Sequence, residues 1–501
     1  MSGSMALAGI LATPLVGLIL VSLSGRSPNL REGVTLTTAL VLFAQVLALY
    51  GDVAAGARPE LLLLPMLPEV SLQLTAEPLG MLFGLIASGL WIISSIYSIG
   101  YMRGNKEGNQ TRFFVCFAGA IFAAQGIAFA GNMLTLFLFY EAMTLITYPL
   151  VTHHGTDHAK KSARIYLGVL MGTSIVFLLT GMLATWVLAG TLDFRQGGIL
   201  AGQVGATGTA VLMALYMFGI GKAALMPFHR WLPAAMVAPT PVSALLHAVA
   251  VVKAGVFSIV KVIVYVFGAE NLMNLGSADW VPLIAGYTIV AASIVALRAD
   301  NLKRRLAYST VSQLSYVTLA ATLLAPISII GAAMHIAAHA VGKITLFFAA
   351  GSIYTAAHKT EVSQLDGIGR KMPWTMVAFA IGALSMIGLP PAAGFISKWY
   401  ILSAAMSTEH WIAVGVLVAS TLLNAGYFLP IVWRAFFREP APEAHHDDGH
   451  GGHGHDDHHG DHGEAPWPMV LAQTVTASLT VLLFIYHEPV LRLARAVAGG
   501  E

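Results

Sequence analysis

The chain has 501 residues, of which 56 % are hydrophobic and 10 % are charged, with a formal net charge of +2 at pH 7. Soluble globular domains carry about 25 % charged residues, so this composition excludes a soluble protein and indicates a polytopic membrane protein. The repeated long apolar runs fit helices and not the alternating segments of about ten residues that build an outer-membrane barrel.

The apolar runs predict an all-α polytopic membrane protein with about 14 transmembrane helices. The spans are expected near residues 5–23, 34–50, 78–100, 112–130, 132–152, 163–190, 207–228, 240–267, 280–298, 306–324, 327–355, 373–405, 411–434 and 467–487. Prolines predict broken helices in span 7, just after Lys222 and before Pro227, and in span 12, where Pro390-Pro391 precedes Lys398. Broken helices in transporters place backbone carbonyls at the ion site.

Two interrupted, lysine-bearing spans that lie five positions apart predict a duplicated unit, with spans 4–8 repeated as spans 9–13 and the second copy inverted. The expected divisions are an N-terminal unit at residues 1–111, a first repeat at 112–267 and a second repeat at 280–434. A His/Asp/Gly-rich cytoplasmic loop at 439–466 and a C-terminal span at 467–501 follow.

The basic residues between the spans are distributed unequally. Alternate connections carry eighteen Lys and Arg residues on one side of the membrane and four on the other. By the positive-inside rule, both termini are expected on the non-cytoplasmic side.

The loop at 439–466 holds eight of the chain's eighteen histidines, interleaved with Asp and Gly. Such a run can bind zinc or nickel, or titrate near neutral pH. The simpler interpretation, which we favour, is a solvated linker, because the run lacks the fixed ligand geometry of selective metal sites.

The sequence contains no motif for redox or nucleotide chemistry. One cysteine, Cys116, excludes iron–sulfur ligation by a cysteine cluster, and the chain has no Walker motif or dinucleotide fingerprint. We therefore expect no cofactor, no metal site and no nucleic-acid partner.

Charged residues inside the apolar runs carry the functional argument. One is a carboxylate, Glu141, and five are lysines: Lys222, Lys253, Lys261, Lys343 and Lys398. A charge at the bilayer centre costs roughly 2.5–3.5 kcal/mol, so five lysines would cost on the order of 15 kcal/mol. Buried ionisable groups of this kind mark an ion path or a proton relay.

Three titratable residues fall on one stripe of the eleventh span. His335, His339 and Lys343 follow one another at intervals of four residues, which advance about 40° around a helix. Two imidazoles and an amine on one face are suited to a proton relay, because each can accept and donate a proton. The Ser, Thr and Gln face of NLKRRLAYSTVSQLSY, in the tenth span, can hold water beside it.

The remaining lysines differ in their expected roles. Lys253 lies with His247 in the middle of the eighth run, whereas Lys261 lies nearer its outer end, where we expect it to snorkel to the headgroups. Lys398 follows the interruption in span 12, so we expect local unwinding to expose it to a water-filled cavity.

Several segments together resemble a known family. They are LFYEAMTL, GIGKAALMPFHRWLP, NLKRRLAYSTVSQLSY, HIAAHAVGK and GLPPAAGFISKW. The chain resembles, from about residue 78 to 435, the antiporter-like subunits shared by respiratory complex I and the Mrp-type multisubunit Na⁺/H⁺ antiporters. Lys398 stands where the middle complex I subunit type carries Glu, and the chain looks most like the D-type Mrp subunit. The His-rich insertion is not part of the family pattern.

The resemblance implies two inverted five-helix repeats around a polar axis at the bilayer midplane. It implies that the axis runs from a Glu–Lys pair through central Lys and His groups to a terminal Lys, here Glu141 with Lys222, then Lys253, His335, His339 and Lys343, and finally Lys398. It further implies a bacterial inner-membrane location, partner subunits in a hetero-oligomeric complex, and H⁺ with Na⁺ as the transported ions.

Three functions are compatible with these observations. The first is a subunit of a secondary Na⁺(K⁺)/H⁺ antiporter, which is a transporter and not an enzyme. The second is a proton-pumping module of a redox complex, either complex I or a membrane-bound hydrogenase. The third is a structural subunit whose charges only pack against partners. The lysine in span 12 and the chain length favour the first.

Overall fold

The protein is described from a computed structural model that covers residues 3–67, 70–439 and 463–499, so most of the loop predicted at 439–466 lies outside the described residues. The principal helices, numbered in chain order, are α1 Gly3–Leu23, α2 Pro28–Ala54, α3 Pro78–Gly104, α4 Gln110–Ala128, α5 Met133–Val151, α6 Asp157–Ala189, α7 Ala206–Gly219, α8 Thr240–Phe267, α9 Val281–Arg298, α10 Leu302–Thr322, α11 Pro326–Ala357, α12 Pro373–Ile387, α13 Gly394–Ser407, α14 Trp411–Phe437, α15 Trp467–Ile485 and α16 Glu488–Val497. Short helices at Trp231–Ala234, Ala269–Leu275 and Ile368–Lys371 connect them.

Within the described residues, eleven helices are long and apolar enough to cross a membrane, so the chain is a multi-pass membrane protein. Helices α7 and α12 are shorter apolar helices that end at interruptions inside the predicted spans 7 and 12. Helix α10 has sufficient length but a polar composition. It tolerates that composition because Ser309, Thr310, Ser312, Gln313 and Ser315 are all fully buried inside the protein.

A β-hairpin corrects the all-α prediction. Strand β1 (Glu60–Leu67) pairs antiparallel with β2 (Val70–Thr75), with Glu60 opposite Thr75. The hairpin lies between α2 and α3, and the backbone of Thr75 also donates to the Phe129 carbonyl after α4. The run Leu61–Leu64 is apolar but too short to span a bilayer, which is why a search for long apolar runs misses this element.

Local signals set where several helices begin. The Asn132 side chain accepts from the Thr135 amide at the start of α5, and the Asn301 side chain accepts from the Arg304 amide at the start of α10. These side chains satisfy amides that have no partner within the helix. Proline occupies the first turn of α2, α3, α9 and α11, where its missing N–H costs nothing.

Three of the five intramembrane lysines, Lys253, Lys261 and Lys343, lie on the two most deeply buried helices. Helix α8 is buried along its whole apolar length and α11 almost as completely, whereas only one third of α1, α14 and α15 is buried. Helix α11 packs against α10, α12, α13 and α15. A Cβ at Gly255 of α8 would lie 2.3 Å from the Lys222 backbone, so glycine permits the interrupted segment after α7 to approach α8 closely. The fold therefore gathers the candidate residues away from lipid.

Candidate functional site

The predicted stripe on α11 is present. His335, His339 and Lys343 are each at most 1 % exposed, and the ring centroids of the two histidines lie 6.2 Å apart. They lie on one face of a continuous helix, as their four-residue spacing predicts.

The shortest contact between predicted residues joins α8 to α11. Lys253 Nζ lies 2.5 Å from His339 Nδ1, and both side chains are buried. A hydrogen bond between two nitrogens needs an N–H on one and a lone pair on the other, so both groups cannot be fully protonated in this contact. At least one of the two side chains therefore offers a lone pair in this contact.

The stripe continues to Lys398 through groups on α10 and α13. His335 Nδ1 lies 2.9 Å from the hydroxyl of Ser397, the residue next to Lys398. The Tyr316 ring stacks on His335 with centroids 5.5 Å apart, and Lys398 Nζ lies 4.6 Å from the centroid of the same ring. Lys253, His339, His335 and Lys398 thus form one contiguous series, and we call this series together with Lys343 the axis.

The interruption predicted before Lys398 is present. Helix α12 ends at Ile387 and α13 begins at Gly394, and Lys398 is 8 % exposed. Its ammonium donates to the carbonyls of Met386 and Ile387 at 2.7 and 3.1 Å. Those carbonyls end α12, where the helix dipole favours a cation.

Helix α10 supplies hydroxyl and amide groups to the axis. Lys343 Nζ donates to Ser309 Oγ, and Gln313 Nε2 donates to the Met386 carbonyl. Ser309, Gln313 and Tyr316 fall on the polar face that the sequence singles out in the tenth span. Within the described residues, Nε2 of both His335 and His339 lacks a hydrogen-bond partner. Buried polar groups are normally hydrogen-bonded to protein or to water. Each of these two ring nitrogens is therefore able to form one further hydrogen bond, for example with a water molecule.

The interruption at Lys222 begins earlier than predicted. Helix α7 ends at Gly219, and Lys222 itself lies in the one-turn 3₁₀ segment Gly221–Ala223, so the break precedes the lysine. Trp231 Nε1 donates to the Gly221 carbonyl at 2.9 Å, which satisfies one carbonyl that the break releases. The interruption places the Lys222 side chain against α5.

Glu141 and Lys222 do not form the direct pair that the resemblance implies. Lys222 Nζ instead donates to Thr144 Oγ1 at 2.6 Å and to the Tyr140 carbonyl at 2.7 Å, both on α5. Both carboxylate oxygens of Glu141 are buried and lack a hydrogen-bond partner among the residues described. Glu141 still acts electrostatically on Lys222, because Tyr140 and Thr144 lie beside it on the same helix.

Lys261 is not at the headgroups, which corrects the snorkelling prediction. It is fully buried, with Nζ 2.5 Å from Glu77 Oε1 and 2.8 Å from the Ala130 carbonyl. The Phe194 ring covers the ammonium at 4.3 Å. The sequence places Glu77 only at the edge of the third apolar run, and nothing local to it indicates a partner almost two hundred residues away.

Replacing Lys261 by methionine is expected to destabilise the protein by about 3–5 kcal/mol, because the buried Glu77 carboxylate would lose its partner. Adding Glu77→Gln to the same chain should recover most of the loss. Thermal unfolding of the purified protein in detergent measures both effects. A Lys261→Met variant with the wild-type melting temperature would show that the pair contributes nothing to stability.

Comparisons with known proteins agree with this architecture. The family described as "NADH:quinone oxidoreductase/Mrp antiporter, TM" matches residues 130–424. NADH-quinone oxidoreductase subunit N of Desulforudis audaxviator is 32 % identical over 384 residues, which cover 75 % of each chain. A probable K(+)/H(+) antiporter component of Rhizobium meliloti is 30 % identical over 80 % of this chain, but the match spans only 40 % of that longer protein.

Two solved structures share the fold. A chain of the Mrp complex from Dietzia sp. DQ12-45-1b aligns with a TM-score of 0.86 over 99 % of this chain and 97 % of its own, at 21 % identity. A chain of an archaeal membrane-bound sulfane sulfur reductase aligns with a TM-score of 0.82 over 98 % and 96 %, also at 21 % identity. From the family match and the identity to subunit N, the chain belongs to the NADH:quinone oxidoreductase/Mrp antiporter transmembrane family.

Proposed function

We propose that this chain is the proton-translocating subunit of a multisubunit monovalent cation (Na⁺)/H⁺ antiporter. The observation that carries the proposal is the buried series from Lys253 through His339 and His335 to Lys398. Lys253 Nζ lies 2.5 Å from His339 Nδ1. His335 contacts Ser397, the residue next to Lys398, and Lys398 lies over the Tyr316 ring. Within the described residues, no member of this series has a carboxylate at ion-pair distance. Adjacent amines and imidazoles without counter-ions fit movable protons better than fixed charges.

The proposed cycle begins at Glu141 and Lys222. A change in the charge of either group alters the proton affinity of the other, which releases a proton toward Lys253. Protons then pass to His339 and His335, with Lys343 as a side branch, and reach Lys398 at the interrupted end of α12. The cytoplasmic side exchanges protons with the axis in each cycle.

The proposal includes a membrane arrangement. We count α7 and α12–α13, with their interruptions, and the polar helix α10 as crossings, which gives fourteen spans with residues 112–267 and 280–434 as inverted repeats. Both proposed repeats contain an interrupted helix with a buried lysine, Lys222 in one and Lys398 in the other. We place the chain in a bacterial inner membrane, with both termini on the non-cytoplasmic side, as the D-type subunit of an Mrp-type complex.

A second candidate function is a proton-pumping subunit of a redox-driven complex. It is supported by the identity to NADH-quinone oxidoreductase subunit N over three quarters of each chain. Purifying the native complex through a tag on this chain separates the two functions. Co-purified flavin and iron–sulfur absorption would support the redox complex, and their absence with cation-dependent H⁺ exchange would support the antiporter.

The relay itself is tested by comparing His339→Ala with deletion of residues 445–462. The histidine variant is expected to lose nearly all cation/H⁺ exchange in inverted vesicles, because it removes the contact to Lys253. The deletion is expected to leave exchange largely intact if the His-rich run is a solvated linker. Exchange that survives in His339→Ala would contradict the relay, and exchange that stops after the deletion would assign the run a function.

A further inference from the structure

Four polar side chains form a hydrogen-bonded series that joins α11, α12 and α15 to the segment just before α15. Ser352 Oγ of α11 donates to Gln473 Oε1 of α15 at 2.9 Å, and Gln473 Nε2 donates to Thr375 Oγ1 of α12 at 2.7 Å. Thr375 Oγ1 in turn donates to Glu464 Oε2 at 2.6 Å. The first three side chains are fully buried, and Glu464 is partly buried at the end of the series. We call these four residues the clamp.

Glu464 also caps α12. Its Oε1 accepts from the backbone amides of Trp374 and Thr375, the second and third residues of the helix, at 2.7 and 3.2 Å. The side chain of Met372, which precedes the helix, makes no capping hydrogen bond, and Pro373 has no amide hydrogen. The first turn of α12 therefore takes its cap from a residue 89 to 90 positions later in the chain.

The opposite end of α12 holds Lys398, whose ammonium donates to the carbonyls of Met386 and Ile387. An acidic side chain thus lies at the N-terminus of α12 and a basic side chain at its C-terminus, which is the arrangement that the helix dipole favours. The two ends lie roughly 22 Å apart, because the 15 residues of the helix rise about 1.5 Å each. Both charged side chains come from other elements of the fold.

Helix α12 packs closely against α11 between these two ends. A Cβ at Gly382 would lie 3.0 Å from the Gly342 carbonyl, and Gly342 directly precedes Lys343. Helix α12 is thus held to α11 at two levels, at Gly342 beside Lys343 and, through the clamp, at Ser352.

We infer that Glu464 is a positioning residue of the axis: through the clamp it fixes α12, and the fixed helix presents its last carbonyls to Lys398. The inference rests on the proposed function, in which Lys398 ends the proton path. Glu464 acts on Lys398 only through α12 and passes no proton along the path. In the sequence Glu464 closes the His/Asp/Gly-rich run, so nothing local to it indicates this role.

Glu464→Ala is expected to move the pH profile of cation/H⁺ exchange. Without its cap α12 is held less firmly, so its last carbonyls stabilise the Lys398 ammonium less well. Lys398 then loses its proton at lower pH, and the fall in exchange rate on the alkaline side should occur about half a unit lower or more. The titratable side chains around Lys398 remain in the variant; they are Tyr316 of α10, His335 and Lys343 of α11 and, beside Tyr316, Tyr427 of α14. Helices α12 and α15 contain no titratable side chain.

Melting temperatures test whether α12 connects its two ends. Glu464→Ala and Lys398→Ala should each lower the melting temperature of the complex. The double variant should lose less than the sum of the two, because both changes release the same helix. Sites this far apart that share no partner are normally additive.

The test uses the full assembled complex, in inverted vesicles for exchange across a range of bath pH and in detergent for melting. The matched control is Thr156→Ala, which removes a side-chain cap from the first turn of α6, a helix with no axis residue. It should lower the melting temperature, keep the wild-type pH profile and be additive with Lys398→Ala. If native gels show that Glu464→Ala does not assemble, Glu464→Gln decides, because it keeps the shape and weakens the charge-assisted bonds; its shift should be smaller and in the same direction.

The outcomes separate the positioning role from the relay. A pH profile of the Glu464 variant that superimposes on wild type, or losses that add to those of Lys398→Ala, would overturn the positioning role; the relay stands if Lys398→Arg is inactive. A shift in Thr156→Ala equal to that of the Glu464 variant would reduce the effect to a general loss of stability and also overturn the role. If Lys398→Arg is active, the proposed function fails irrespective of the Glu464 variants.

Discussion

Glu141→Gln is expected to stop cation/H⁺ exchange while the complex remains assembled. Both oxygens of the carboxylate are buried without a hydrogen-bond partner among the described residues, so glutamine would break no hydrogen bond there. Glutamine keeps the shape and cannot titrate, and it removes the electrostatic action of Glu141 on Lys222. The rate of cation/H⁺ exchange should therefore fall to that of vesicles without the complex. We expect the same result for Glu141→Ala.

The measurement is the cation-induced collapse of a pH gradient in inverted vesicles, normalised to assembled complex. Glu270→Gln is the matched control, because Glu270 is an exposed carboxylate on the short helix Ala269–Leu275. The control should transport as wild type. Near-normal exchange in Glu141→Gln would remove the titration of Glu141 from the mechanism.

Lys398→Arg is expected to be as inactive as Lys398→Ala, although for a different reason. The ammonium caps the last carbonyls of α12, a role that a guanidinium can also fill because it carries a charge and several donors. Arginine is effectively never deprotonated in proteins, so it cannot pass a proton on. A relay needs the proton to leave, whereas a helix cap needs only the charge.

Stability measurements separate the two roles. Lys398→Arg should melt closer to wild type than Lys398→Ala does, because it keeps the cap, yet both should lack exchange. Lys160→Arg on an exposed part of α6 is the control for the exchange itself. Exchange restored by arginine and lost with alanine would make Lys398 a structural charge.

The sequence was sufficient to locate the buried titratable residues because their signal is local. A charge in an apolar run is visible without a fold, and the spacing of His335, His339 and Lys343 defines one helix face. The interruption before Lys398 also followed from its prolines. These features depend on neighbouring residues alone, so the structure reproduces them.

Partners across the fold could not be predicted in this way. Ser397, which contacts His335, and Thr144, which holds Lys222, are ordinary residues whose role depends on tertiary contacts. Glu77 pairs with Lys261 only because the start of α3 packs beside α8. Glu141 and Lys222 make no direct contact for a related reason, since the end of α7 at Gly219 brings the lysine to Thr144.

The most direct test of the account is the initial rate of proton flux into proteoliposomes that contain the purified complex, under an imposed pH gradient with the cation supplied. The account predicts rapid flux for wild type and, for Glu141→Gln and Lys398→Arg, the rate of protein-free liposomes. Wild-type flux in both variants, at equal amounts of assembled complex, would contradict a proton path along the axis.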